Sequence, residues 1–265
     1  MESTLISIIT VTFNNLNGLK KTIESCSHLN PCPLELIIID GGSTDGSSAY
    51  LESIKQIPTF SIKIHSEKDS GIYDAMNKGV KIASGEWIVF MNAGDTFYED
   101  DSFKKVEDLL QNKNISAFYG DSEISYPHFS RIQKALPTNF WKSIPFVHQS
   151  FYCKRELLIQ YPFNTNYKLC ADYDFYIWLV SSGKNIQKTD IILSNNAAGG
   201  KSDVMRAKAS MEKLAIYNNY YPNSGFSISL FFYLEYGKGI VSIFIKRILP
   251  NSFIEFITKL KYRNH

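Results

Sequence analysis

Leu36-Ile-Ile-Ile-Asp-Gly-Gly-Ser-Thr-Asp-Gly46 carries four apolar residues straight into an acidic, glycine-rich turn. A short apolar run bounded by such a turn reads as a fully buried strand. The same grammar recurs twice. Residues 62–66 run into Glu67-Lys-Asp-Ser-Gly71, and Trp87-Ile-Val-Phe-Met91 runs into Asn92-Ala-Gly-Asp95. In an open α/β sheet the ligand crevice lies outside the carboxyl ends of the strands. Three acidic turns on that edge suit sugar hydroxyls and a divalent cation, which want anionic oxygen. Bare phosphate would want amides and cations instead.

Working outward, residues 5–12 are β-branched and predict a buried first strand, followed by a turn at 13–18 and a helix over 19–28. A second strand spans 34–40, and Asp45 is placed to cap a helix over 46–57. A third strand spans 61–66. Ile72, Ala75, Met76, Val80 and Ala83 share one face of a helix over 72–83, with Gly85 as its C-terminal cap. A fourth strand over 87–91 and a helix over 103–110 complete the alternation, which predicts a three-layer fold on a parallel sheet. From Phe118 the alternation stops. Tyr126-Pro-His, Leu136-Pro-Thr and Ile144-Pro-Phe break the chain into loops and short strands, before helices over 172–182 and 202–220. The chain thus divides into 1–117, an α/β half; 118–225, an irregular half of the same domain; and 226–265, a tail.

The 265 residues are 44% hydrophobic and 20% charged, an ordinary globular balance with ample core. Aromatic residues reach 14%, which suits either core packing or a carbohydrate- or lipid-facing surface. From Lys238 to the end there are six Lys/Arg against Glu255, a balance of +5, so with a net +2 the remainder carries −3. A mildly acidic body argues against a nucleic-acid partner. Cys26, Cys32, Cys153 and Cys170 form no CxxC pair and no zinc spacing, which fits thiols in a reducing compartment. Residues 1–4 hold no basic leader, and 5–13 are too short and strand-like for a signal peptide, so the expected location is cytoplasmic. The first turn, Phe13-Asn-Asn-Leu-Asn-Gly18, is no GxGxxG, and no GxxxxGK[ST] occurs, which excludes dinucleotide and P-loop sites.

Six segments taken in order resemble family 2 glycosyltransferases of the GT-A fold, of the kind that build bacterial O-antigen and capsule. They are Ser7-Ile-Ile-Thr-Val-Thr-Phe-Asn14, Ile39-Asp-Gly-Gly-Ser-Thr-Asp-Gly-Ser47, Glu67-Lys-Asp-Ser-Gly-Ile-Tyr-Asp-Ala-Met-Asn-Lys-Gly79, Met91-Asn-Ala-Gly-Asp95, His148-Gln-Ser-Phe151 and Ala171-Asp-Tyr-Asp174. The resemblance covers about residues 5–200. It implies a GT-A-type α/β/α sandwich with a mostly parallel central sheet, an irregular acceptor region and a helical C-terminal tail.

The resemblance also implies roles. Thr12, Asp40, Asp69, Lys78, Asn92 and His148 fall at nucleotide-sugar-binding positions, with Asp40 and Asp69 at the nucleoside. Each has a structural alternative: Asp40 opening its turn, Asp69 capping the following helix, Lys78 solvated, His148 packed. Asn92-Ala-Gly-Asp95 occupies the place of a DxD motif with the last acid kept, so Asp95 becomes the ligand of Mn²⁺ or Mg²⁺. Asp172 becomes the base that deprotonates the acceptor, with Asp174 the alternative. Gly199-Gly200-Lys201-Ser202 resembles a segment that closes over the donor.

The implied reaction is inverting transfer from a UDP-hexose such as UDP-glucose to a sugar on undecaprenyl diphosphate, with a β-glycosidic product. Two alternatives stand beside it. A nucleotidyltransferase would need a glycine-rich basic loop that is missing; a non-catalytic sugar-nucleotide-binding subunit is suggested by Asn92. In the tail, residues 228–245 approach the length of a membrane span but hold Glu235 and Lys238. With the basic residues that follow, they suit a helix lying on the inner face of the cytoplasmic membrane, or one packed on the core.

Overall fold

A computed structural model of the chain describes residues 6–29, 34–54, 61–137, 139–199, 205–222, 225–249 and 259. The first half alternates as the sequence predicts. β1 (Ile6–Thr12), α1 (Leu16–Ser27), β2 (Leu34–Asp40), α2 (Ser47–Ile54), β3 (Ser61–Ser66), α3 (Ile72–Ile82) and β4 (Trp87–Phe90) follow one another. β1 lies between β2 and β4, parallel to both, with Thr12 level with Asp40 and Ile6 level with Trp87. Two-residue periodicity then splits the apolar side chains between two faces. Ile9, Val11, Ile37, Ile39, Ile88 and Phe90 pack against Met76 and Val80 of α3. Ile6, Ile8, Leu36, Ile38, Trp87 and Val89 pack against Leu19 and Ile23 of α1 and Leu51 of α2. Three layers result.

The chain continues through β5 (Thr96–Phe97), α4 (Ser102–Lys105), α5 (Glu107–Gln111), β6 (Ala117–Tyr126), β7 (Phe129–Gln133), a 3₁₀ turn (His148–Ser150), β8 (Phe151–Lys154), α6 (Arg155–Gln160), α7 (Ala171–Ser181) and β9 (Ile186–Ala197). It ends, among the described residues, in α8 (Arg206–Tyr220) and α9 (Phe226–Ile248). The sheet order is β3-β2-β1-β4-β8-β6-β9-β5, with β7 on the side of β6. β8 and β5 run against their neighbours while β6 and β9 are parallel, so six of the eight strands on this path point the same way.

The structure adds four details to the sequence expectations. The helix over 103–110 is two short pieces, α4 and α5. Gly85 is not the cap of α3, which ends at Ala83 in an extended conformation. It is required instead by a close approach, because a Cβ there would lie 2.6 Å from Ser7 Oγ and 2.7 Å from Ser7 N. The division at 117/118 falls inside the ten-residue β6, and one sheet runs through both halves. α9 is longer than 228–245 and is docked along one stripe. Phe232 is buried, Phe231 meets the Trp141 ring edge-on at 5.2 Å, and Gly239 abuts Ala207 of α8. Cys153 and Cys170 are buried thiols and Cys26 is buried; Cys32 lies outside the described residues.

Candidate active site

The carboxyl edge of the sheet begins where β1 and β2 turn. Asn14 takes a positive φ of 50°, and its carboxamide oxygen accepts Thr44 N at 2.8 Å while its own N–H reaches Ser43 Oγ at 2.7 Å. Asp45 accepts Leu16 N at 2.8 Å and Ser47 N at 3.0 Å, capping α1 and α2 together. Asp40, expected at the nucleoside, lies beneath this turn rather than on its surface. It is fully buried and accepts Ser43 N at 3.1 Å, Ser48 Oγ at 3.2 Å and Ser66 Oγ at 2.6 Å. Its oxygens tie β2 to α2 and β3.

What faces the edge here is Asp69 and the ring of Phe13. Asp69 accepts Gly71 N on Oδ1 at 3.0 Å, and Oδ2 stands where a side chain on Gly41 would meet it at 2.5 Å. The Phe13 ring lies 3.3 Å from the same point and is 63% exposed. Only glycine at 41 leaves the carboxylate and the ring so close. Thr12, level with Asp40 at the end of β1, is buried and its Oγ1 has no hydrogen-bond partner among the described residues. Lys78 is turned to its neighbours. It pairs with Glu67 at 2.7 Å and Asp74 at 3.4 Å and donates to Lys68 O at 3.2 Å, and the Glu67 bond raises its pKa.

The Asn92–Asp95 turn is held from α1. Thr22 Oγ1 donates to Asn92 O (3.1 Å) and Asp95 O (2.7 Å) and accepts Gly94 N at 3.0 Å, while Asn15 Nδ2 donates to Ala93 O at 2.8 Å. Gln149 Nε2 donates to Asp95 Oδ2 at 2.5 Å. Burial pushes the Asp95 carboxyl up to about 6, against the opposing pull of Gln149 and Asn196. Asn92 Oδ1, in the same turn, is buried and unpartnered. Among the described residues no three His, Cys, Asp or Glu converge on a metal site. One carboxylate and one orphaned carboxamide oxygen nevertheless fit a hard cation whose shell phosphates complete.

The remaining group forms around α7. Tyr73 of α3 donates to Asp172 Oδ1 at 3.0 Å, and the same oxygen accepts Tyr173 N at 2.9 Å. Asp172 Oδ2 has His148 Nδ1 3.9 Å away. His148 is stacked on Phe90 at 5.2 Å; burial lowers its pKa while Asp172 opposes, so the ring is neutral at pH 7. Its Nε2 is unpartnered. Beneath the pair is an apolar cavity lined by Phe90, Phe146, Phe163 and Phe175. Asp174, two residues on and so about 200° around the helix, points elsewhere. It is buried and accepts Tyr161 Oη at 3.2 Å, and burial raises its pKa.

Several site residues escape the sequence reading. Tyr73 is one, although it lies inside a quoted segment. Asn77 exchanges two hydrogen bonds with the Phe163 backbone, at 2.8 and 3.0 Å, and fixes a wall of the cavity. Glu212 of α8 accepts Lys168 N, Leu169 N and Cys170 N at 2.9, 2.9 and 3.0 Å, holding the approach to Asp172. Asn77 lies within a quoted segment, but its flank of α3 also carries Asp74 and Lys81, so nothing local marks it as a wall of the cavity. Lys201 and Ser202 lie outside the described residues.

Asp69 beside the Phe13 ring, the turn that bears Asn92 and Asp95, and the Asp172 carboxylate at the start of α7 are the groups the site offers. The chain belongs to glycosyl transferase family 2, whose sequence model matches residues 7–171. It is 29% identical over 221 residues to a PGL/p-HBAD biosynthesis glycosyltransferase of Mycobacterium bovis, covering 81% of this chain and 85% of that protein. Its structure is similar to the mannosyltransferase PcManGT of Pyrobaculum calidifontis, solved with GDP-Man and Mn²⁺. The TM-score is 0.67 at 13% identity, over 96% of this chain and 78% of that one. It is also similar to S. aureus TarS solved with UDP, with TM-score 0.62, 15% identity, 81% of this chain and 66% of that one. The fold is therefore GT-A, and the protein is a glycosyltransferase. The expectation of a nucleotidyltransferase falls away.

Proposed function

We propose that this enzyme transfers a hexose, with inversion, from a UDP-hexose to a sugar hydroxyl of an undecaprenyl-diphosphate-linked acceptor in O-antigen or capsule assembly. The observation that carries the reading is Asp172. One oxygen is fixed by two donors, and among the described residues the other accepts no hydrogen bond and has His148 Nδ1 3.9 Å away, which supports a carboxylate able to take an acceptor proton. In the proposed step the acceptor hydroxyl attacks the anomeric carbon, its proton passes to Asp172 Oδ2, and the bond from that carbon to the diphosphate oxygen breaks. UDP leaves, and an α-linked donor gives a β-glycoside. No enzyme carboxylate becomes a covalent intermediate, in contrast to a retaining glycosidase.

Asp69 and the Phe13 ring supply an acceptor and a stacking face for the nucleoside. Asp95, with Asn92 Oδ1, would hold Mn²⁺ or Mg²⁺, which would offset charge on the diphosphate. In the same reading the lipid-borne acceptor brings the enzyme to the inner face of the cytoplasmic membrane, without a nucleic-acid partner. The non-catalytic binding subunit rests on Asn92 alone, against a family and relatives that are glycosyltransferases.

The test is nucleotide release from purified protein against UDP- and GDP-sugars, with and without Mn²⁺, alongside Asp172→Asn. One donor turned over, and lost in the variant while its binding persists, is the expected result. Turnover undiminished in Asp172→Asn would sink the assignment of the base.

A further inference from the structure

Helix α9 presents two opposite faces, one docked on the body and one apolar and exposed. Ile228, Phe232, Glu235, Gly239 and Ser242 recur at i, i+4, i+7, i+11 and i+14 and form the stripe against α8 and Trp141. About half a turn away lies a second stripe of Phe226, Leu230, Leu234, Val241, Phe244 and Ile248, between 43% (Leu230) and 81% (Phe226) exposed. Gly237 sits within it, and no charged residue does. Over 23 residues the stripe runs roughly 34 Å. A contiguous apolar surface of that length, on a protein otherwise well packed, is an interaction surface.

We infer that this stripe lies on an anionic lipid bilayer, with α9 in the plane of the interface and still docked on α8. Two observations choose the occupant and its geometry. The first is charge: Lys238 is exposed on the edge of the stripe, and the sequence from 238 onward holds six Lys/Arg and one acid. Basic groups flanking an apolar helix face complement anionic headgroups. The second is anchorage. Glu235, on the docked face, pairs with Arg206 of α8 at 2.5 Å and with Lys238 at 2.7 Å, and Gly239 touches the Ala207 backbone. Crossing the membrane would strip α9 from α8 and carry Glu235 into hydrocarbon.

The docked face also reaches the base. Trp141, packed on Phe231 and Phe232, accepts the Tyr173 hydroxyl on its carbonyl at 2.6 Å, and Tyr173 adjoins Asp172. The bilayer surface and the base are thereby held at a fixed separation, which suits an acceptor hydroxyl presented by a lipid. This last link rests on the proposed function; the docking itself does not.

The experiment is flotation of the full chain with phosphatidylcholine vesicles, with and without phosphatidylglycerol, beside the double variant Leu234→Glu/Val241→Glu. The expected result is binding that needs the anionic lipid, weakens with salt, and falls at least about tenfold in the double variant, whose UDP affinity is unchanged. Single spin labels along α9 should then show oxygen accessibility that rises and falls with the helical period. One broad maximum at mid-helix would mean a span and overturn the in-plane geometry. No vesicle binding would overturn the docking, as would a wild-type dimer that the double variant converts to monomer, which would assign the stripe to a second copy. A protein that binds vesicles but no nucleotide would sink the proposed reaction and leave the docking standing.

Discussion

The phenol of Tyr73 on α3 and the carboxylate of Asp172 on α7, 99 residues apart in sequence, meet in a 3.0 Å hydrogen bond at the heart of the site. Tyr73 is buried, and burial first, then the Asp172 charge, pushes its own ionisation well up, so it acts as a fixed donor. It orients Asp172 Oδ1, which in the proposed reaction leaves Oδ2 for the acceptor. Tyr73→Phe should lower kcat by roughly ten- to a hundredfold, the range for a hydrogen bond to a charged group, with donor KM unchanged. A fall in kcat matched by an equal loss of thermal stability would make Tyr73 a packing residue.

Asp172 and Asp174 should separate cleanly. Asp172→Asn is expected to lose on the order of 10²–10⁴ in kcat and keep its thermal midpoint. Asp174→Ala removes the acceptor of the half-buried Tyr161 hydroxyl, which itself pairs with Tyr220 Oη at 2.6 Å. The expected cost is about 1–3 kcal/mol of stability, read by urea unfolding, with kcat per folded molecule nearly unchanged. The reverse pattern would exchange their roles.

The contrast between these two acids shows what the sequence does and does not carry. Strands β1 to β4 are legible because Ile8/Ile9 or Leu36/Ile37 alternate between two faces, each filled by a neighbouring helix with its own 3.6-residue pattern. β6 and β9 are not, because Gly120, Asp121, Ser122, Ser194 and Asn196 lack strand propensity. Their burial rests on distant partners, such as Asp121 accepting Ala135 N at 2.7 Å and Ser122 meeting Ser194 at 3.0 Å. The edge that bears the site is legible from its acidic turns. Which carboxylate looks outward is not, because Ser48 and Ser66, which cover Asp40, belong to other elements.

Asp95 sets function against stability. Its pKa rises from 3.8 to about 6, mainly through burial. Between those values the folded state binds more protons than the unfolded chain, so stability falls as pH rises through the window and stays lower above it. In EDTA at neutral pH, Asp95→Asn should therefore gain about 1–3 kcal/mol, and the gain should vanish below about pH 4. The same variant should lose the effect of Mn²⁺ on UDP affinity. A variant less stable than wild type at neutral pH would show that the Gln149 contact outweighs burial.

Glu35, at the opposite end of the sheet, has the opposite sign. It is buried, yet bonds from Lys63 (2.6 Å), Ser7 (2.5 Å) and the Ser84 amide overcome that burial and lower its pKa from 4.5 to about 2. Its contribution is complete above 4.5 and is lost as pH falls towards 2. Glu35→Gln should cost about 2–3 kcal/mol at neutral pH. Urea titrations of the two proteins should converge as the pH is lowered through that window. A pH-independent gap would mean that shape rather than charge holds the Ser7–Ser84 junction.

Phe13 gives the most direct test of the proposed nucleoside contact. A ring 63% exposed at the end of an otherwise buried strand adds little to the core. It stands beside Asp69 and the Cβ-free Gly41, and its exposed face is the one the proposed nucleoside would stack on. Stacking of a base on an aromatic ring is worth on the order of 1–3 kcal/mol. Phe13→Ala should therefore weaken UDP binding by roughly ten- to a hundredfold by calorimetry, with the thermal midpoint of the free protein unchanged. Asp69→Asn should weaken UDP binding as well, while Asp40→Asn should act through stability because its partners are all internal. If Asp40→Asn instead keeps its stability and loses UDP, the turn must open on binding and present Asp40 after all.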